Sequence, residues 1–513
     1  MQRKYFTMAA LSFAVMCLLL LTAQSLAIRG SAIDQLNLLV DVRQELVENY
    51  VEPVDQRKIV EAAVRGMVES LGDPYTSFIN QDEIDDFDKS IRGTFSGIGA
   101  EIEIRDNRLR IASPLEDSPA WKAGVLAGDI VLEIDGKPVS EIFADLKSDA
   151  EKSREAIKRL TGDEGTVVRL RVRHESGEER EIAITRARIE IPVIKGVRRV
   201  NDGHWDFMLD PKNKIGYIRL TQFTQRSVED LRAALRQLKA AGVRGLILDL
   251  RFDPGGLLPA AVQVADMFLP EGKRIVSVKG RNVPEHVEMS TAQDELTDVP
   301  MVVLANEASA SASEIVTGAL KDNGRAKFIG TRTFGKGSVQ TVKMIQNDSG
   351  QPLGILKLTN AYYYLPSGRN IHRVEGAEAW GVDPEDGFYV PMTVEQMRKM
   401  IEARRESDVL RPGNGGSSEA EVTPDWINEK LHDPQLAAGL QALLGKLDTG
   451  DWPIVGESNV QKLANQTQRD NLLRQRDLIR ESLRQVEAQL AQLGVNVAEL
   501  EDAASEKEPA AAE

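Results

Sequence analysis

Three serines at alternate positions are the residues of this sequence that most directly suggest chemistry. Ser309, Ser311 and Ser313 lie in the segment NEASASASEIVTG, which follows the apolar run PMVVLAN and precedes a helical pattern. A serine between a buried strand and a helix has its hydroxyl at the edge of the layer, where main-chain N–H groups and the helix dipole favour an oxyanion. Glu314, three residues after Ser311, completes a capping-box pattern, so this segment alone favours a plain helix cap.

A nucleophilic serine needs a base, and nothing in the sequence designates one of the five histidines for that role. Lys336, between two glycines in GTRTFGKGSVQTVKMI, is the other candidate. Lysine acts as a general base only if burial or neighbouring groups lower its pKa towards neutrality. If Lys336 starts a strand, Gln340 projects to the same face and its amide can hold the amine. By itself, this stretch favours a solvated lysine in a turn.

The same stretch nearly matches a phosphate-binding loop, because Gly330, Gly335 and Lys336 have the spacing of that motif. The motif then requires Ser or Thr to reach magnesium, and a helix after it. Gly337 and a strand-like pattern follow instead. Nucleotide binding is therefore rejected.

Paired glycines mark the junction of another strand and helix, in LDLRFDPGGLLPAA. Gly255 and Gly256 would let the main chain approach a ligand closely and direct N–H groups at it. A tight turn without any ligand is the simpler interpretation of this stretch alone.

Composition narrows the classes of function. The chain has 513 residues, 42% of them hydrophobic and 28% charged, which suits several globular domains. Its net charge of −15 argues against nucleic acid as a partner, because phosphate binding requires a basic face. The histidines are scattered, and neither an HExxH nor a CxxC motif occurs. We therefore expect no zinc site and no cofactor.

The N-terminus has the pattern of a targeting signal. Arg3 and Lys4 precede an apolar run at residues 8–21, and the small residues of TAQSLA end at Ala27. The run is shorter than the roughly 18 apolar residues of a membrane span, which favours a cleaved signal over an uncleaved anchor. Cys17, the single cysteine, lies inside it, so the mature chain would have no disulfide. We expect export to the periplasm or cell envelope, with membrane association if the signal is retained.

Periodicity predicts the elements that must position these residues. Apolar residues at helical spacing indicate helices near the N-terminus, and alternating runs then indicate short strands with two helices. Strands and helices alternate further on, with RGLILDL and PMVVLAN as buried parallel strands, which predicts an α/β layer structure. The helix SVEDLRAALRQLKAAG begins with a serine as its predicted cap. The predicted divisions are a signal peptide (1–27), an N-terminal helical region (28–95), a β-rich domain (96–185), an α/β core (186–395), a linker with helices (396–455), and a C-terminal helix with an acidic disordered tail (456–513).

Together these stretches resemble the carboxyl-terminal processing, or tail-specific, proteases. The resemblance rests on DLRFDPGG, SASASEI, GRAKFIGTRTFGKGSVQT and AYYYLPSGRNI, whose order and spacing agree with that family over residues 35–390. It implies a crotonase-like α/β core in a multidomain protein with a helical N-terminal region and a helical C-terminal extension. It also implies that Ser311 is the nucleophile, Lys336 the general base, and Gln340 the residue that orients the lysine.

The resemblance further implies an oxyanion hole and shows two departures. The main-chain N–H groups of Ala312 and Gly256 would hold the oxyanion, with Gly255 as the alternative to Gly256. This chain has Asp253-Pro254 where the family often has Asn-Pro, and GVDPEDG inverts a Pro-Asp pair near the end of the core. Neither departure changes the serine–lysine pair, but local support near the site would differ.

Residues 96–185 resemble a PDZ domain, which this family carries between its N-terminal helices and its catalytic core. SPAWKAGVLAGDIVLEIDGKPV is similar to the core of such a domain, and SGIGAEI to its carboxylate-binding loop. The loop would offer N–H groups to a peptide C-terminus from Gly97, Ile98, Gly99 and Ala100. The peptide would add to the domain as an extra strand.

These features predict an exported serine endopeptidase with a Ser–Lys dyad, guided to proteins or peptides with free C-termini by its PDZ domain. A non-catalytic PDZ scaffold on a protease-like core is the alternative from another class, although Ser311, Lys336 and Gln340 are all present. A crotonase-like acyl-CoA enzyme is a second alternative. It would require neither a PDZ segment nor an equivalent of Lys336.

Terminal helices mediate self-association in this family, so we expect a dimer or a ring built from dimers. IDQLNLLVDVRQELV carries an apolar face, and apolar residues recur at heptad spacing between Leu472 and Leu493, although Arg476 interrupts that seam. Packing of the C-terminal helix on its own domain is equally open. The sequence does not name the substrate, the number of subunits or an activating adaptor protein.

Overall fold

A computed structural model describes residues 36–84, 93–199, 204–291, 298–374, 379–410 and 421–458, together with scattered positions between and beyond these ranges. The predicted signal, the linker at 411–420 and the acidic tail lie outside the described residues. Contacts divide the chain into two compact units, Met1–Ile84 with Gln340–Thr359, and Asp85–Val339 with Asn360–Glu513. No helix in the described part of the chain combines the length and apolar character that a membrane crossing requires.

The first unit combines helices with strands. Residues 36–49 are helical, and helix α1, Gln56–Glu69, is capped by the Asp55 carboxylate. The predicted N-terminal helical region also contains a strand that the periodicity does not predict, β1, Ser77–Asn80. This strand pairs antiparallel with residues 354–357. Its Phe78 and Ile79 are of the aromatic and β-branched types that favour strands. The partner strand is β21, Pro352–Tyr364, which also pairs with β20, Ser338–Gln346.

Residues 94–190 of the second unit form a β-rich domain. Its strands are β2 Thr94–Gly97, β3 Ala100–Arg105, β4 Arg108–Pro114, β5 Ile130–Ile134, β6 Lys137–Pro138, β7 Val167–Arg173, β8 Glu179–Thr185 and β9 Ala187–Glu190. Its helices are α2 Pro119–Lys122, α3 Val139–Ile142 and α4 Asp149–Leu160, of which α3 is a single turn beyond the two predicted helices. The main sheet has the order β3-β4-β5-β7-β8, so β3 is an edge strand. Leu109, Ile111 and Leu170 are fully buried in the core of this domain.

The second unit also contains the predicted α/β core. Its strands are β10 Ile194–Lys195, β11 Arg198–Arg199, β12 Trp205–Asp206, β13 Met208–Asp210, β14 Ile215–Leu220, β15 Gly245–Asp249, β16 Arg274–Lys279, β17 His286–Met289, β18 Met301–Ala305 and β19 Lys327–Gly330. Strands β14, β15, β18 and β19 are parallel neighbours in that order, as the apolar runs predict. The carboxyl ends of these strands therefore meet at one edge of the sheet.

Helices pack on both faces of this sheet. Those that connect its strands are α5 Ser227–Ala240, α6 Leu258–Asp266 and α7 Ala312–Asp322. Successive residues of β15 point to opposite faces, so Leu246 and Leu248 join the core cluster that contains these helices, while Ile247 joins the opposite cluster. The predicted serine cap of α5 is wrong. Ser227 is the first helical residue, and its hydroxyl donates to the Thr224 main-chain oxygen at 2.8 Å.

The C-terminal helices cover the opposite face of the sheet. They are α8 Val394–Asp408, α9 Pro424–Trp426 with a following π-helical turn Ile427–Leu431, and α10 Pro434–Thr449. Leu440 and Leu443 of α10 are fully buried in one cluster with Ile247 and Val302. Each such leucine stabilises the fold by about 1.5–3 kcal/mol. Helix α10, in the segment after Met392 for which the sequence leaves the role open, is therefore part of the core of the second unit.

Candidate active site

The middle serine lies in a strained turn between strand β18 and helix α7. Its main chain has φ 56° and ψ −111°, a conformation that costs a residue with a side chain on the order of 1–3 kcal/mol. The Ser311 N–H donates to Glu314 Oε2 at 2.8 Å, and the Glu314 N–H donates to the Ser311 main-chain oxygen at 2.9 Å. The predicted capping box between Ser311 and Glu314 is therefore present. The turn has the geometry of a nucleophile elbow, although no GxSxG pattern signals it.

The two flanking serines are fully buried and hold this turn in place. Ser309 Oγ donates to the Leu250 main-chain oxygen at 2.8 Å and accepts from the Asn306 N–H at 2.9 Å. Ser313 Oγ donates to the Asp253 main-chain oxygen at 2.9 Å. Both hydroxyls thus fasten the serine turn to the residues after strand β15, whereas the middle serine is half-buried.

A buried carboxylate connects the serine turn to the lysine loop. Glu314 Oε2 accepts from the N–H groups of Ser311 and Lys336, each at 2.8 Å. Its Oε1 accepts from Thr333 Oγ1 at 2.6 Å and from the Gly335 N–H at 2.7 Å. The main-chain nitrogens of the two predicted dyad residues are therefore no further apart than two hydrogen-bond lengths. The sequence suggests a capping role for Glu314, but nothing in its pattern signals the contact with the lysine loop.

The four donors identify Glu314 as a carboxylate anion. Burial raises the pKa of Glu314, and the hydrogen bonds from its donors oppose this. Three donors are main-chain N–H groups, and the Thr333 hydroxyl accepts from the Val382 N–H at 2.7 Å, so its own proton points at Glu314. A proton on Glu314 would have no acceptor among these contacts. No described His, Cys, Asp or Glu side chains, Glu314 included, form a group of three that could hold a metal ion.

Tyr363 holds the lysine loop from strand β21. Its hydroxyl oxygen lies 2.5 Å from the Lys336 main-chain oxygen and 3.2 Å from that of Ser311, and its N–H donates to the Gly337 oxygen at 3.0 Å. Lys336 itself is half-buried and lies two residues before strand β20, so it does not start the strand on which Gln340 lies. The sequence does not single out Tyr363, which belongs there only to the AYYYLPSG motif. A tyrosine in a strand has no local sequence signal for contacts with distant main-chain oxygens.

The Pro-Gly-Gly turn packs directly against the serine turn. A Cβ on Gly255 would lie 2.9 Å from both the Ala312 nitrogen and Ser311 Cβ, so this position needs glycine. The Gly255 N–H already donates to Asp253 Oδ1 at 2.8 Å, which leaves Gly256 as the better candidate for the oxyanion donor. Ala312 is the first residue of α7, where N–H groups have no partner within the helix.

Gln340 lies in the first unit and has a defined orientation there. Its Nε2 donates to Thr359 Oγ1 at 3.1 Å. The Thr359 N–H donates to Thr76 Oγ1 at 3.1 Å, and the Thr76 hydroxyl donates to Asp73 Oδ2 at 2.5 Å. Burial acts to raise the pKa of Asp73, but hydrogen bonds from Thr359 and Thr76 outweigh it and keep the pKa below its usual range. Ser311 and Lys336 belong to the second unit, so the role of Gln340 stays a prediction.

The predicted carboxylate-binding loop is packed inside the β-rich domain. Gly97, Ile98 and Gly99 are buried, and Ala100 begins the edge strand β3. Gly99 has φ 75°, and a Cβ there would lie 2.4 Å from Ser118 Cβ, so glycine is required. Helix α4 contacts β3. An edge strand beside a helix is a place where a peptide can add as a further strand.

Comparison with known proteins assigns these parts to families. The model of peptidase family S41 matches residues 214–385, which include Ser311, Lys336 and Gln340. A PDZ domain model matches residues 110–174. A model described as the activating protease CtpB N-terminal domain matches residues 21–83.

Whole-chain relatives agree with these matches. The chain is 34% identical over 453 residues to a carboxy-terminal-processing protease of Bartonella bacilliformis, covering 85% of this chain and 94% of that protein. It is 32% identical over 354 residues to the carboxy-terminal processing protease CtpA of Bacillus subtilis, covering 69% and 70% of the two chains. Among solved structures, a photosystem II D1 C-terminal processing protease is 27% identical, with 73% of this chain and 91% of that chain covered and a TM-score of 0.40. On the sequence matches, this chain belongs to peptidase family S41 and is a PDZ-containing carboxy-terminal processing serine protease.

Proposed function

We propose that Ser311 is the nucleophile and Lys336 the general base of this peptidase, and that Gln340 orients the lysine. The contrast among the three serines carries the proposal. Ser309 and Ser313 are fully buried and commit their hydroxyls to the turn, whereas Ser311 is half-buried in a strained main-chain conformation. The role of Gln340 rests on its position in the sequence motif.

The proposed reaction has two stages. Ser311 Oγ attacks the carbonyl carbon of the peptide bond while neutral Lys336 Nζ takes the hydroxyl proton. The N–H groups of Ala312 and Gly256 stabilise the negative charge that develops on the carbonyl oxygen. Lys336 then protonates the leaving amine, which departs and leaves an acyl group on Ser311. A water that gives its proton to Lys336 hydrolyses this ester, and Lys336 returns the proton to Ser311.

A substitution series tests the dyad with the mature chain and a denatured protein as substrate. Ser311→Ala and Lys336→Arg should each lower turnover by about 10³-fold or more, because arginine keeps its proton and cannot act as a base. Lys343→Arg, at an exposed position of β20, is the matched control and should leave turnover unchanged. A Lys336→Arg enzyme with near-normal turnover would exclude lysine as the base.

We further propose that the PDZ domain selects substrates by their free C-termini. The names of the Bartonella and Bacillus relatives describe processing at carboxy termini, and β3 offers an edge for strand addition. Peptides of one sequence with the cleavage site at a fixed distance from a free or an amidated C-terminus test this directly. Preference for the free end, seen in kcat/KM, supports the proposal, and equal cleavage of both peptides contradicts it.

We also propose that the chain is exported to the periplasm or cell envelope, on the pattern of residues 1–27. N-terminal sequencing of the protein from fractionated cells should give a chain that begins after Ala27 in the envelope fraction. A chain that keeps its first residues should be found with the membrane. Recovery of the full-length chain with the cytosolic proteins would contradict export.

A further inference from the structure

Asp253 connects the Pro-Gly-Gly turn to the serine turn. Its Oδ1 accepts from the Gly255 N–H at 2.8 Å. Its main-chain oxygen accepts from the Ala310 N–H at 3.0 Å and from Ser313 Oγ at 2.9 Å. The Asp253 side chain therefore holds the N–H of Gly255, and its main-chain oxygen holds the serine turn.

The carboxyl group of Asp253 has surroundings in which a charge is costly. The residue is 0% exposed, and its Oδ2 has no hydrogen-bond partner among the described residues. Asp249, equally buried at the end of β15, instead accepts hydrogen bonds from Arg251, Arg404 and Tyr217. An isolated carboxylate in the interior costs far more free energy than a neutral acid that lacks one hydrogen bond.

The charged groups on the neighbouring elements are engaged elsewhere. Arg251, on the same segment, is paired with Asp249 and Asp433. Glu314, on α7, accepts its four donors from the serine turn and the lysine loop. Burial raises the pKa of Asp253 well above its usual range, and hydrogen bonds rather than a cation oppose this.

We propose that Asp253 acts as a neutral carboxylic acid that positions the oxyanion turn, and that activity falls when this residue ionises as the pH rises. The inference rests on the proposed function, in which Gly256 donates to the oxyanion. The neutral acid presents one oxygen to the Gly255 N–H, as an asparagine amide would. An ionised Asp253 would draw water towards its unpartnered Oδ2 and displace the turn from the nucleophile.

Two ionisations then bound the active pH range. Lys336 must lose a proton to act as a base, which makes activity rise with pH. Asp253 must keep its proton, which makes activity fall again at higher pH. A fall in kcat on the high-pH side of the profile, here called the alkaline limb, is therefore assigned to Asp253.

Two substitutions separate this role from simple packing. Asp253→Asn keeps an oxygen for the Gly255 N–H and cannot ionise, so kcat at the optimum should stay within a few-fold and the alkaline limb should disappear. Asp253→Ala leaves that N–H without its acceptor, so kcat should fall by on the order of 10²-fold with KM little changed. An Asn variant that keeps the wild-type alkaline limb, or that loses as much kcat as the Ala variant, overturns the proposal.

A stability measurement provides a readout that does not depend on activity. The raised pKa of folded Asp253 exceeds the value of about 3.9 in the unfolded chain. Folding therefore takes up a proton, and stability falls relative to Asp253→Asn as the pH rises above that value, until the folded pKa is reached. In a Ser311→Ala background, Asp253→Asn should raise Tm more at about pH 8 than at about pH 4. A Tm difference that does not grow with pH contradicts the neutral acid, whereas an active Ser311→Ala enzyme contradicts only the proposed function.

Discussion

At the scale of single residues, three hydroxyl groups of the same chemistry differ in what surrounds them. The hydroxyls of Ser309 and Ser313 are buried and donate hydrogen bonds to main-chain oxygens instead of to water. A buried polar group without such a partner would cost free energy. Ser311 is half-buried, and its main-chain N–H donates to Glu314. The flanking serines therefore contribute to stability, whereas Ser311 is the proposed nucleophile.

Alanine substitutions should separate these contributions. Ser309→Ala and Ser313→Ala should each lower the free energy of unfolding by about 1–3 kcal/mol, because buried partners lose a hydrogen bond, and both variants should keep substantial activity. Ser311→Ala should abolish proteolysis and lower the free energy of unfolding by about 1 kcal/mol, the usual cost of losing a helix cap. Urea unfolding and turnover are measured on each variant. A Ser309→Ala enzyme that is inactive beside an active Ser311→Ala enzyme would reverse the assignment.

Glu314→Gln should damage both stability and turnover. The amide would present N–H groups to donors that now share a carboxylate, so we expect a loss of about 2–3 kcal/mol in unfolding free energy and at least a tenfold fall in kcat as the two turns separate. Glu229→Gln, at an exposed position in the first turn of α5, is the control and should change neither. A Glu314→Gln enzyme with normal kcat would show that this bridge does not position the dyad.

At the scale of elements, the β-rich domain has an edge strand with main-chain groups that are unpaired in the described part of the sheet. Strand β3 pairs only with β4 in its sheet among the described strands, so its other edge offers main-chain groups to a peptide. The loop before it contains Gly97 and Gly99, where the main chain can approach a carboxylate closely. The proposed peptide-binding edge and the proposed nucleophile thus lie on separate elements of the second unit.

Peptides with a free, apolar C-terminal residue should bind the full-length Ser311→Ala chain. Amidation of that end should weaken binding by about tenfold or more, because the loop would lose hydrogen bonds to a charged group. Fluorescence anisotropy with one labelled peptide in both forms measures the difference, and acetylation of its N-terminus is the control. Equal affinity of the free and amidated forms would reject the carboxylate-loop assignment.

The segment before α10 contributes a buried ion pair to the end of strand β15. Asp433 Oδ1 and Oδ2 accept from the two terminal nitrogens of Arg251 at 2.7 and 2.8 Å, and both residues are almost fully buried. Burial acts to raise the pKa of Asp433, but the Arg251 charge keeps it below the usual range. Arg251 precedes the Pro-Gly-Gly turn, so this pair connects the segment before α10 to the chain that leads into that turn.

Asp433→Asn should cost about 3–5 kcal/mol of stability at neutral pH, because Arg251 keeps its charge and loses a charged partner. Since the folded pKa of Asp433 is lowered, its contribution is present above the unfolded value of about 3.9 and is lost as the pH falls. The difference between variant and wild type should therefore shrink in acid. Glu402→Gln breaks an exposed pair with Arg398 and should cost less than about 1 kcal/mol. Urea unfolding that shows equal losses for both variants would contradict a dominant role for the buried pair.

At the scale of the whole molecule, two terminal segments expose apolar side chains. In the helical residues 36–49, Leu36, Leu39 and Val40 are 61%, 46% and 57% exposed. In the C-terminal seam, Ile479 and Leu483 are 62% and 53% exposed, and Leu493 lies outside the described residues. Contiguous exposed apolar groups are typical of protein interfaces, so the predicted self-association remains the expected use of both segments.

Light scattering should give the mass of a dimer or a larger ring at micromolar concentration. Deletion of residues 31–50 should lower the assembled mass, because the apolar face of the N-terminal helix is lost, and truncation after residue 455 should do so independently. A full-length chain that runs as a monomer would reject both interfaces. A truncated chain with the original number of subunits would reject the C-terminal one alone.

The sequence by itself determined the type and order of most elements and the segments that contain the site. Apolar runs identify β15 and β18 because a strand buried on both faces leaves a local signature, and the motif spacing selects Ser311 and Lys336. The strand Ser77–Asn80 is not predicted from the sequence, because its partner, β21, is distant in the chain.

Only the tertiary structure decided what the site residues contact. Glu314 has the pattern of a cap, yet it also binds the lysine loop; Asp433 lies beyond the family pattern, yet it pairs with Arg251. The strain at Ser311 and the unpartnered oxygen of Asp253 likewise have no local signal. Periodicity and propensity report the neighbours of a residue along the chain, whereas hydrogen bonds, burial and charge in the site depend on residues that folding brings together.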